Sequence, residues 1–388
     1  MGIESKRSRW WVLAAVIGVV VAGYLVLRTP VRPSSTGHQV TIGVVGPFDG
    51  PNAHIGPVIR NAVQLGFDHN PIDGLTVKVI PIDTKSDPSA AVAALQGSVS
   101  DPDLVALVAF YHSSTALAGK PVVQEAGLPA LIYSASNPKV TDDAPFYFRL
   151  VPTDDNQAVV LADAARRLQA RRVGILYYAD EYGKGLADGF RARARDIGVE
   201  IVDTHSYDPT TVDFRSILSV MKGKAPDLVL ICGFVDKTTI ILNQAADQGF
   251  RAKFLAGDGT FNEQELVRGA GANAEGVYVA APYVFDESNA KARSFLDAYW
   301  ASFPGDGSQL KPASWTAFAY DAAGILARGL KEGHRTRADL HRYLRAINTP
   351  QTGYDGVAGL TYFNARGDAV RRQFQLAVVK GGRFVSAP

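Results

Sequence analysis

Apolar strand patterns alternate with amphipathic helix patterns along most of this chain, and this alternation limits the available folds more than any other feature. One strand with its following helix occupies roughly 25–30 residues, a spacing typical of βαβ units with parallel sheets. A first series of strands is predicted at residues 39–46, 75–83, 104–110, 128–134 and 146–151, and a second at 173–178, 199–205, 227–234, 253–259 and 276–283. Two such series in 388 residues predict an α/β protein with two lobes.

The C-terminal part departs from this alternation. It contains three successive helix patterns at residues 289–302, 314–331 and 337–347, and then two strands at 359–365 and 373–385, the second broken by a Gly-Gly turn. Helices that follow two complete α/β series must pack on sheets already formed, so we expect the chain to cross back to the first lobe and later leave it again. The predicted lobes are residues 39–153 with 285–355, and residues 154–284 with 356–388, each a doubly wound parallel sheet.

Residues 1–38 are predicted to be a signal or membrane anchor followed by a linker. Residues 10–27 contain no charged side chain, and three basic residues stand just before them. This pattern is typical of an uncleaved signal anchor in the inner membrane. Cleavage after Gly37 is the alternative, because Ser35 and Gly37 are small residues at the required spacing. In both cases we expect a periplasmic or other extracytoplasmic location.

Charge and motif content exclude several classes of function. Residues 1–37 carry five basic residues and one acidic residue, which leaves 35 basic and 37 acidic residues, a net charge of −2, for the remainder. We therefore expect no nucleic-acid surface. GxSxG, HExxH and GxxxxGK[ST] motifs are absent, as is a histidine pair with metal-ligand spacing, so we expect neither an enzyme nor a metal or cofactor. The single cysteine, Cys232, lies in an apolar run and is predicted to be buried.

A dinucleotide site is an alternative, because the first strand ends in glycines and Asp83 closes the second strand, where a ribose-binding acid would lie. However, the glycines are spaced GxxGxxxG, and Pro47 stands where the backbone would approach a pyrophosphate.

Polar and aromatic residues follow the strands at the edge where open α/β sheets bind small ligands. In the first lobe these are residues 111–115 and 134–137, which supply hydroxyls and amides. Asp154 stands at the crossover, and Tyr182, Phe234 and Asp258 follow strands of the second lobe. Hydroxyls at a helix N-terminus suit an anion, and carboxylates suit a cation. Together they predict a zwitterion held between two lobes.

Structural alternatives exist for each of these residues. Ser113 or Ser114 would also serve as the N-cap of the helix after the third strand, and Asp154 as the N-cap of the helix after the crossover. Asp258 precedes a glycine, which is typical of a turn, and Tyr182 would serve as an ordinary packing residue.

Ten short segments, by their order and spacing from residue 39 to the end, resemble the periplasmic leucine/isoleucine/valine-binding proteins. They are GPFDGPNAHIG, DTKSDPSAA, AFYHSST, LPALIYSASNPKVT, FYFRLVPTDDNQ, YYADEYGKGLADGF, LICGFVDKTTIILNQAADQG, FLAGDG, AEGVYV and DGVAGLTYFNARGD. The resemblance implies the type I periplasmic binding protein fold, with two lobes joined by a three-strand hinge. It also implies closure around an amino acid without a cofactor.

The resemblance also implies a role for individual residues. The ligand carboxylate is expected at Ser113 and Ser136 and at backbone groups near Tyr111 and Ser134, the ammonium group at Asp154 and Asp258, and Tyr182 is expected to close over the ligand. The chain departs from the family where Phe234 replaces a common tyrosine and Ile55 an aromatic residue, and Asp258 is shorter than the usual glutamate. Ser86 and His112 stand where the best-known members have a disulfide, and His112 is expected to fill the space of the missing sulfur.

The sequence thus predicts a binding protein that delivers a small amino acid, branched-chain or otherwise apolar, to the permease of an ABC importer. One alternative is a receptor for an amide, a urea or an aromatic carboxylate, which would leave the two acids unpaired. The other is a membrane-anchored ligand sensor.

Overall fold

The structure is a computed structural model that describes residues 39–50, 52–305 and 311–387. These residues belong to one compact unit of the chain. The predicted anchor and linker, residues 1–38, lie outside the described residues. Within the described ranges, no helix combines the length and the apolar character needed to cross a membrane.

The first half of the chain forms a parallel sheet covered by helices. Its elements are β1 (Gln39–Gly46), α1 (Ile55–Asp68), β2 (Thr76–Asp83), α2 (Pro88–Ser98), β3 (Leu104–Ala109), α3 (Ser113–Glu125), β4 (Ala130–Ile132) and β5 (Tyr147–Arg149). The strand order is β2-β1-β3-β4-β5. Every residue of the central strand β3 is buried, because helices cover both faces of the sheet.

The second half begins with another α/β series. Its elements are α4 (Asp154–Arg167), β6 (Arg172–Tyr178), α5 (Glu181–Asp196), β7 (Glu200–Tyr207), α6 (Arg215–Gly223), β8 (Leu228–Cys232), α7 (Val235–Asp247), β9 (Lys253–Ala256), α8 (Glu263–Ala270) and β10 (Tyr278–Ala281). The C-terminal elements are α9 (Ala290–Ser302), α10 (Ser314–Lys331), α11 (Arg337–Ala346), β11 (Tyr354–Gly356), β12 (Gly359–Thr361), β13 (Gln375–Lys380) and β14 (Arg383–Ser386). The second sheet has the order β14-β13-β10-β9-β8-β6-β7, in which β13 and β14 are antiparallel additions.

The predicted α/β fold with two parallel-sheet lobes is confirmed. The chain passes between the two sheets three times: from β5 to α4, from β10 to α9, and from β12 to β13. These are the three connections that the predicted hinge requires. The helix α10 packs along α1, as expected for helices that return to the first lobe.

Residues 354–370 remain on the side of the first sheet. The amide of Val357 donates to the buried carboxylate of Asp321 in α10 at 2.7 Å, and Arg149 at the end of β5 forms a β-bridge with Asp368. The predicted lobe boundaries stay a prediction, and these contacts favour a last crossing later than the predicted one.

Two local expectations differ from the structure. The helix α8 was not predicted, although Asn262 accepts from the amide of Glu265 at 3.3 Å and Leu266 is fully buried. Several strands end earlier than predicted; β9, for example, stops at Ala256 because Asp258 starts a short 3-10 turn. Polar residues that follow these shortened strands, such as Asp258, therefore lie in the loops between the sheets.

Candidate ligand-binding site

A cleft with about 400 Å³ of empty space, part of it open to solvent, lies between the carboxyl ends of the two sheets. This edge is where open α/β sheets bind ligands. The lining residues are Tyr111, Ser113, Tyr133, Ser134, Ser136, Val151, Tyr182, Phe234, Asp258, Gly259, Pro282, Ser314 and Trp315. Seven of the eight predicted contacts thus share one cavity, and the eighth, Asp154, does not line it.

The turn after β3 is strained. Phe110 is fully buried and has a left-handed backbone, with φ of 69°, which is unfavourable for an aromatic residue. Two backbone hydrogen bonds stabilise this turn: its N–H donates to the carbonyl of Val45 at 3.0 Å, and its carbonyl accepts from the amide of Ala135 at 3.2 Å. The turn brings Tyr111 into the cavity wall and begins α3 at Ser113, at the edge of the cavity.

Hydroxyls and a helix N-terminus line the first-lobe side of the cavity. Ser113 Oγ accepts from the amide of Asn137 at 3.2 Å, which leaves its proton available for donation to a ligand. Ser113 is the first helical residue of α3 and not its N-cap, so the capping alternative is wrong. His112 at the cap position supplies no side-chain hydrogen bond, and the first N–H groups of the helix therefore suit an anion.

A hydrogen-bond network fixes Asp258 on the opposite side. Its Oδ1 accepts from the hydroxyl of Tyr182 at 2.7 Å and from Nε2 of Gln157 at 2.9 Å. The Tyr182 oxygen accepts from the amide of Gly259 at 3.0 Å, and Gln157 Oε1 accepts from the amide of Asp258 at 2.8 Å. Both supporting side chains therefore have a single orientation. Asp258 does lie in a turn, as the structural alternative predicted, but its carboxylate also lines the cavity.

Asp154 lies behind this network. It is 2% exposed, its Oδ1 accepts from Gln157 Nε2 at 2.7 Å, and its Oδ2 has no hydrogen-bond partner among the described residues. Thr153 occupies the cap position of α4, so Asp154 is not an N-cap. The predicted direct contact between Asp154 and a ligand is not supported by the cavity lining, and Gln157 connects Asp154 to Asp258 instead.

Burial raises the pKa of both carboxyls. The pKa of Asp258 rises from 3.8 to about 6, against the lowering effect of its hydrogen bonds to Tyr182 and Gln157. Burial also raises the pKa of Asp154 well above its usual value, and repulsion from Asp258 adds to this. Within the described residues, neither carboxylate has an ion pair. A cation in the cavity would stabilise both.

Aromatic rings form the wall between the two polar ends. The ring of Phe234, after β8, lies 5.2 Å from that of Tyr182 and 5.9 Å from that of Tyr111. Tyr111 also meets Trp315, at the start of α10, at 5.9 Å. The rings come from both sheets, so they close an apolar compartment across the cleft.

A glycine allows Tyr182 to reach this wall. A Cβ atom on Gly183 would lie 2.3 Å from the carbonyl oxygen of Tyr178, so the N-terminus of α5 approaches β6 this closely only with glycine. Asp180 caps the helix by accepting from the amide of Gly183 at 2.8 Å. Tyr182 then occupies the first turn, beside Asp258.

His112 also lies at the contact between the lobes. Its ring lies 4.8 Å from that of Tyr111 and 5.0 Å from that of Phe234. Both ring nitrogens are buried without a hydrogen-bond partner in the described chain, and burial lowers the pKa of His112 to about 4. It is thus a packed, neutral side chain and does not line the cavity. Ile55 is buried and lies beside a neighbouring groove instead of the cavity, and Cys232 is a buried free cysteine, as predicted.

Sequence reasoning missed several residues of the site, and Gln157 and Trp315 are the two with the clearest roles. Gln157 follows Asp154 by three positions on α4, and this spacing places both side chains on one helix face, which was a usable signal. Trp315 lies at the start of a helix that returns from the other lobe, and no strand-end argument could have found it.

The dinucleotide alternative fails at Asp83. Its Oδ1 accepts from the amides of Phe48, Asp49 and Lys85 at 2.8, 3.2 and 2.9 Å. The carboxylate therefore stabilises the loop after β1 and is not presented to a ribose.

Comparison with known proteins connects this chain to a family. A family model described as "Periplasmic binding protein" matches residues 39–383. An amino acid binding protein of Pseudomonas aeruginosa is 31% identical over 239 residues, 60% of this chain and 64% of that protein. A leucine-, isoleucine-, valine-, threonine- and alanine-binding protein of the same organism is 25% identical over 85% of this chain and 90% of its own length. Among solved structures, the branched-chain amino acid transporter substrate-binding protein LivJ of Streptococcus pneumoniae, in complex with isoleucine, aligns with a TM-score of 0.80 and 27% identity, covering 90% of this chain and 100% of that one.

Proposed function

Because the chain belongs to the family of periplasmic binding proteins, we propose that it binds a free apolar amino acid, such as leucine, isoleucine or valine, and delivers it to an ABC importer. The single observation that carries this proposal is the polarity of the cavity. Hydroxyls and a helix N-terminus line one end, and Asp258, without a basic partner among the described residues, lines the other.

Each end matches one charge of an amino acid. Ser113 and Ser136 donate to the ligand carboxylate, with the N-terminus of α3 adding its partial positive charge. Asp258 accepts from the ammonium group, and Asp154 supports it through Gln157. Hydrogen bonds to charged groups contribute about 1.5–3 kcal/mol each, so a few of them suffice for tight capture.

The ligand side chain contacts the aromatic wall. Tyr111 and Trp315 face Phe234 and Tyr182 across the cleft, and an apolar side chain between them removes ring surface from water. The phenylalanine at position 234 offers no hydroxyl, which favours apolar over polar side chains. Four of the five amino acids named for the P. aeruginosa relative are apolar, with threonine as the exception, and the S. pneumoniae structure contains isoleucine.

Closure of the lobes completes the site. A ligand that contacts both lobes binds the closed state preferentially and shifts the population toward it. Two side-chain contacts join the lobes in the closed form. Nδ2 of Asn137 donates to the carbonyl of Glu181 at 2.7 Å, and His54 Nε2 lies 3.0 Å from Glu265 Oε1. We propose that the protein works outside the cytoplasm, held at the inner membrane by residues 10–27 or released by cleavage.

A thermal-shift screen of the purified protein from Gly37 onward tests the proposal. A ligand at 100 times its dissociation constant stabilises the folded state by about 2.7 kcal/mol. We expect a shift with leucine, isoleucine or valine, and none with isocaproate, which is leucine without its amino group. A shift with aromatic acids or amides but with no amino acid would overturn the proposal.

A further inference from the structure

A fully buried arginine lies behind the cavity, at the end of β5. Arg149 has no exposed surface, and its Nε and Nη2 lie 2.9 and 2.7 Å from Oδ1 of Asp368. Nη2 also donates to the hydroxyl of Thr141 at 2.9 Å, and that hydroxyl donates to the same Asp368 oxygen at 2.9 Å. One half of the guanidinium is thus held by an acid and a hydroxyl.

The other half holds the loop that follows β4. Nη1 donates to the carbonyl of Ser136 at 3.1 Å and to that of Asn137 at 2.7 Å. The Ser136 carbonyl also accepts from the amide of Asp154 at 3.0 Å, and the amide of Asn137 donates to Ser113 Oγ. The guanidinium therefore fixes the backbone of the two residues that connect the cavity hydroxyls to the first crossing between the lobes.

The positions of Arg149 and Asp368 along the chain show what this ion pair connects. Arg149 stands just before the first crossing, and Asp368 just before the last one. A buried ion pair adds little net stability compared with apolar residues of similar size, because desolvation of the charges offsets their attraction. The pair instead fixes directions: each donor of the guanidinium has one acceptor at a defined angle.

We propose that Arg149 is a positioning residue of the ligand site, which, with Asp368 and Thr141, holds residues 134–137 so that Ser113 and Ser136 face the ligand carboxylate. Because it links two of the three crossings to this loop, it also couples the hinge to the carboxylate end of the cavity. This inference rests on the proposed function for its ligand, and on the hydrogen bonds above for its structural part.

Two variants and one matched control test this role. Asp368→Asn removes the charge that orients the guanidinium, and Thr141→Val removes the bridging hydroxyl. Thr361→Val is the control: Thr361 is also buried and accepts from a partly buried arginine, Arg372, at 2.6 Å, away from the cavity. Calorimetric titration with leucine or isoleucine should show at least tenfold weaker binding for Asp368→Asn and at least threefold weaker binding for Thr141→Val, with Thr361→Val within twofold of wild type.

Hydrogen exchange of the ligand-free protein gives the second measurement. In Thr141→Val, the amides of Asn137 and Asp154 should exchange at least threefold faster than in wild type, and in Thr361→Val they should not. This measurement tests the positioning role of Arg149 even if Asp368→Asn does not fold. It also tests that role if wild type binds no amino acid, a result that would overturn only the proposed function. The proposal would be wrong if Thr141→Val left exchange and affinity unchanged and lowered the melting temperature only as much as Thr361→Val does. The hydrogen-bond network around Arg149 would then be purely structural.

Discussion

Replacing Asp258 by asparagine tests the charge at the centre of the proposed site. Asparagine keeps the size of the side chain, and its Oδ1 still accepts from Tyr182 and Gln157, as Asp258 Oδ1 does at 2.7 and 2.9 Å. The substitution removes the negative charge and replaces Oδ2, a hydrogen-bond acceptor, by an NH2 donor that cannot accept from an ammonium group. A hydrogen bond to a charged group contributes about 1.5–3 kcal/mol, so affinity for leucine should fall about 10- to 150-fold.

Stability should not fall with affinity. The pKa of Asp258 is about 6 in the folded protein and 3.8 ordinarily, so the fold favours the protonated form. Stability therefore falls as pH rises from 3.8 to about 6 and stays lower above that range, and Asp258→Asn removes this cost. At pH 7.5 the ligand-free variant should melt at the same temperature as wild type or higher.

Titration calorimetry for affinity and scanning calorimetry for stability provide the assay, with Asp321→Asn as control. Asp321 is also buried, with a pKa raised by burial to about 6, but it accepts from the amides of Val357 and Ala358 far from the cavity. Asp321→Asn should lower the melting temperature, because both oxygens of Asp321 accept from backbone amides and the new NH2 group would face one of these donors, and it should leave affinity within twofold. Less than a threefold loss of affinity in Asp258→Asn would refute the assignment of Asp258 to the ammonium group.

Three further predictions address the rest of the site. Ser113→Ala should weaken leucine binding about tenfold, as expected for loss of a charge-assisted hydrogen bond, while Ser114→Ala, outside the cavity, should change it less than twofold in the same titration. Wild-type affinity should be about tenfold lower at pH 5 than at pH 7, since protonation of Asp258 removes the partner of the ammonium group; a flat profile would contradict this. Gly257→Ala should weaken binding, because its Cβ would lie 2.7 Å from the Tyr182 hydroxyl and 3.0 Å from Gln157 Oε1. Its control is Gly97→Ala, in open space on α2, which should stabilise the protein by up to about 1 kcal/mol.

The alternation of strands and helices was enough to predict the two sheets, because strands covered on both faces need continuous apolar runs. It was not enough for α8, which has only eight residues. The signal there was the capping pair Asn262 and Glu265, which hydrophobic periodicity does not detect.

The site was predictable where residues follow strands, since the carboxyl ends of parallel strands meet at one edge. This argument predicted Tyr111, Tyr182, Phe234 and Asp258 as site residues, and the family resemblance specified which serines would bind the ligand carboxylate. It failed for Asp154, because the direction of a side chain at the first turn of a helix depends on how the helix packs. The role of Gln157 depends on that same packing, and Trp315 on the path of the chain after residue 284.

Asp258 in the cleft and Asp154 behind it affect the efficiency of uptake. When the lobes close without a ligand, Asp154 and Asp258 lose water and gain no cation from the described residues. An amino group removes this penalty, so loaded molecules close far more readily than empty ones. An importer that recognises the closed shape would then rarely hydrolyse ATP for an unloaded receptor. The same acids would also keep abundant carboxylic acids without an amino group from competing for uptake.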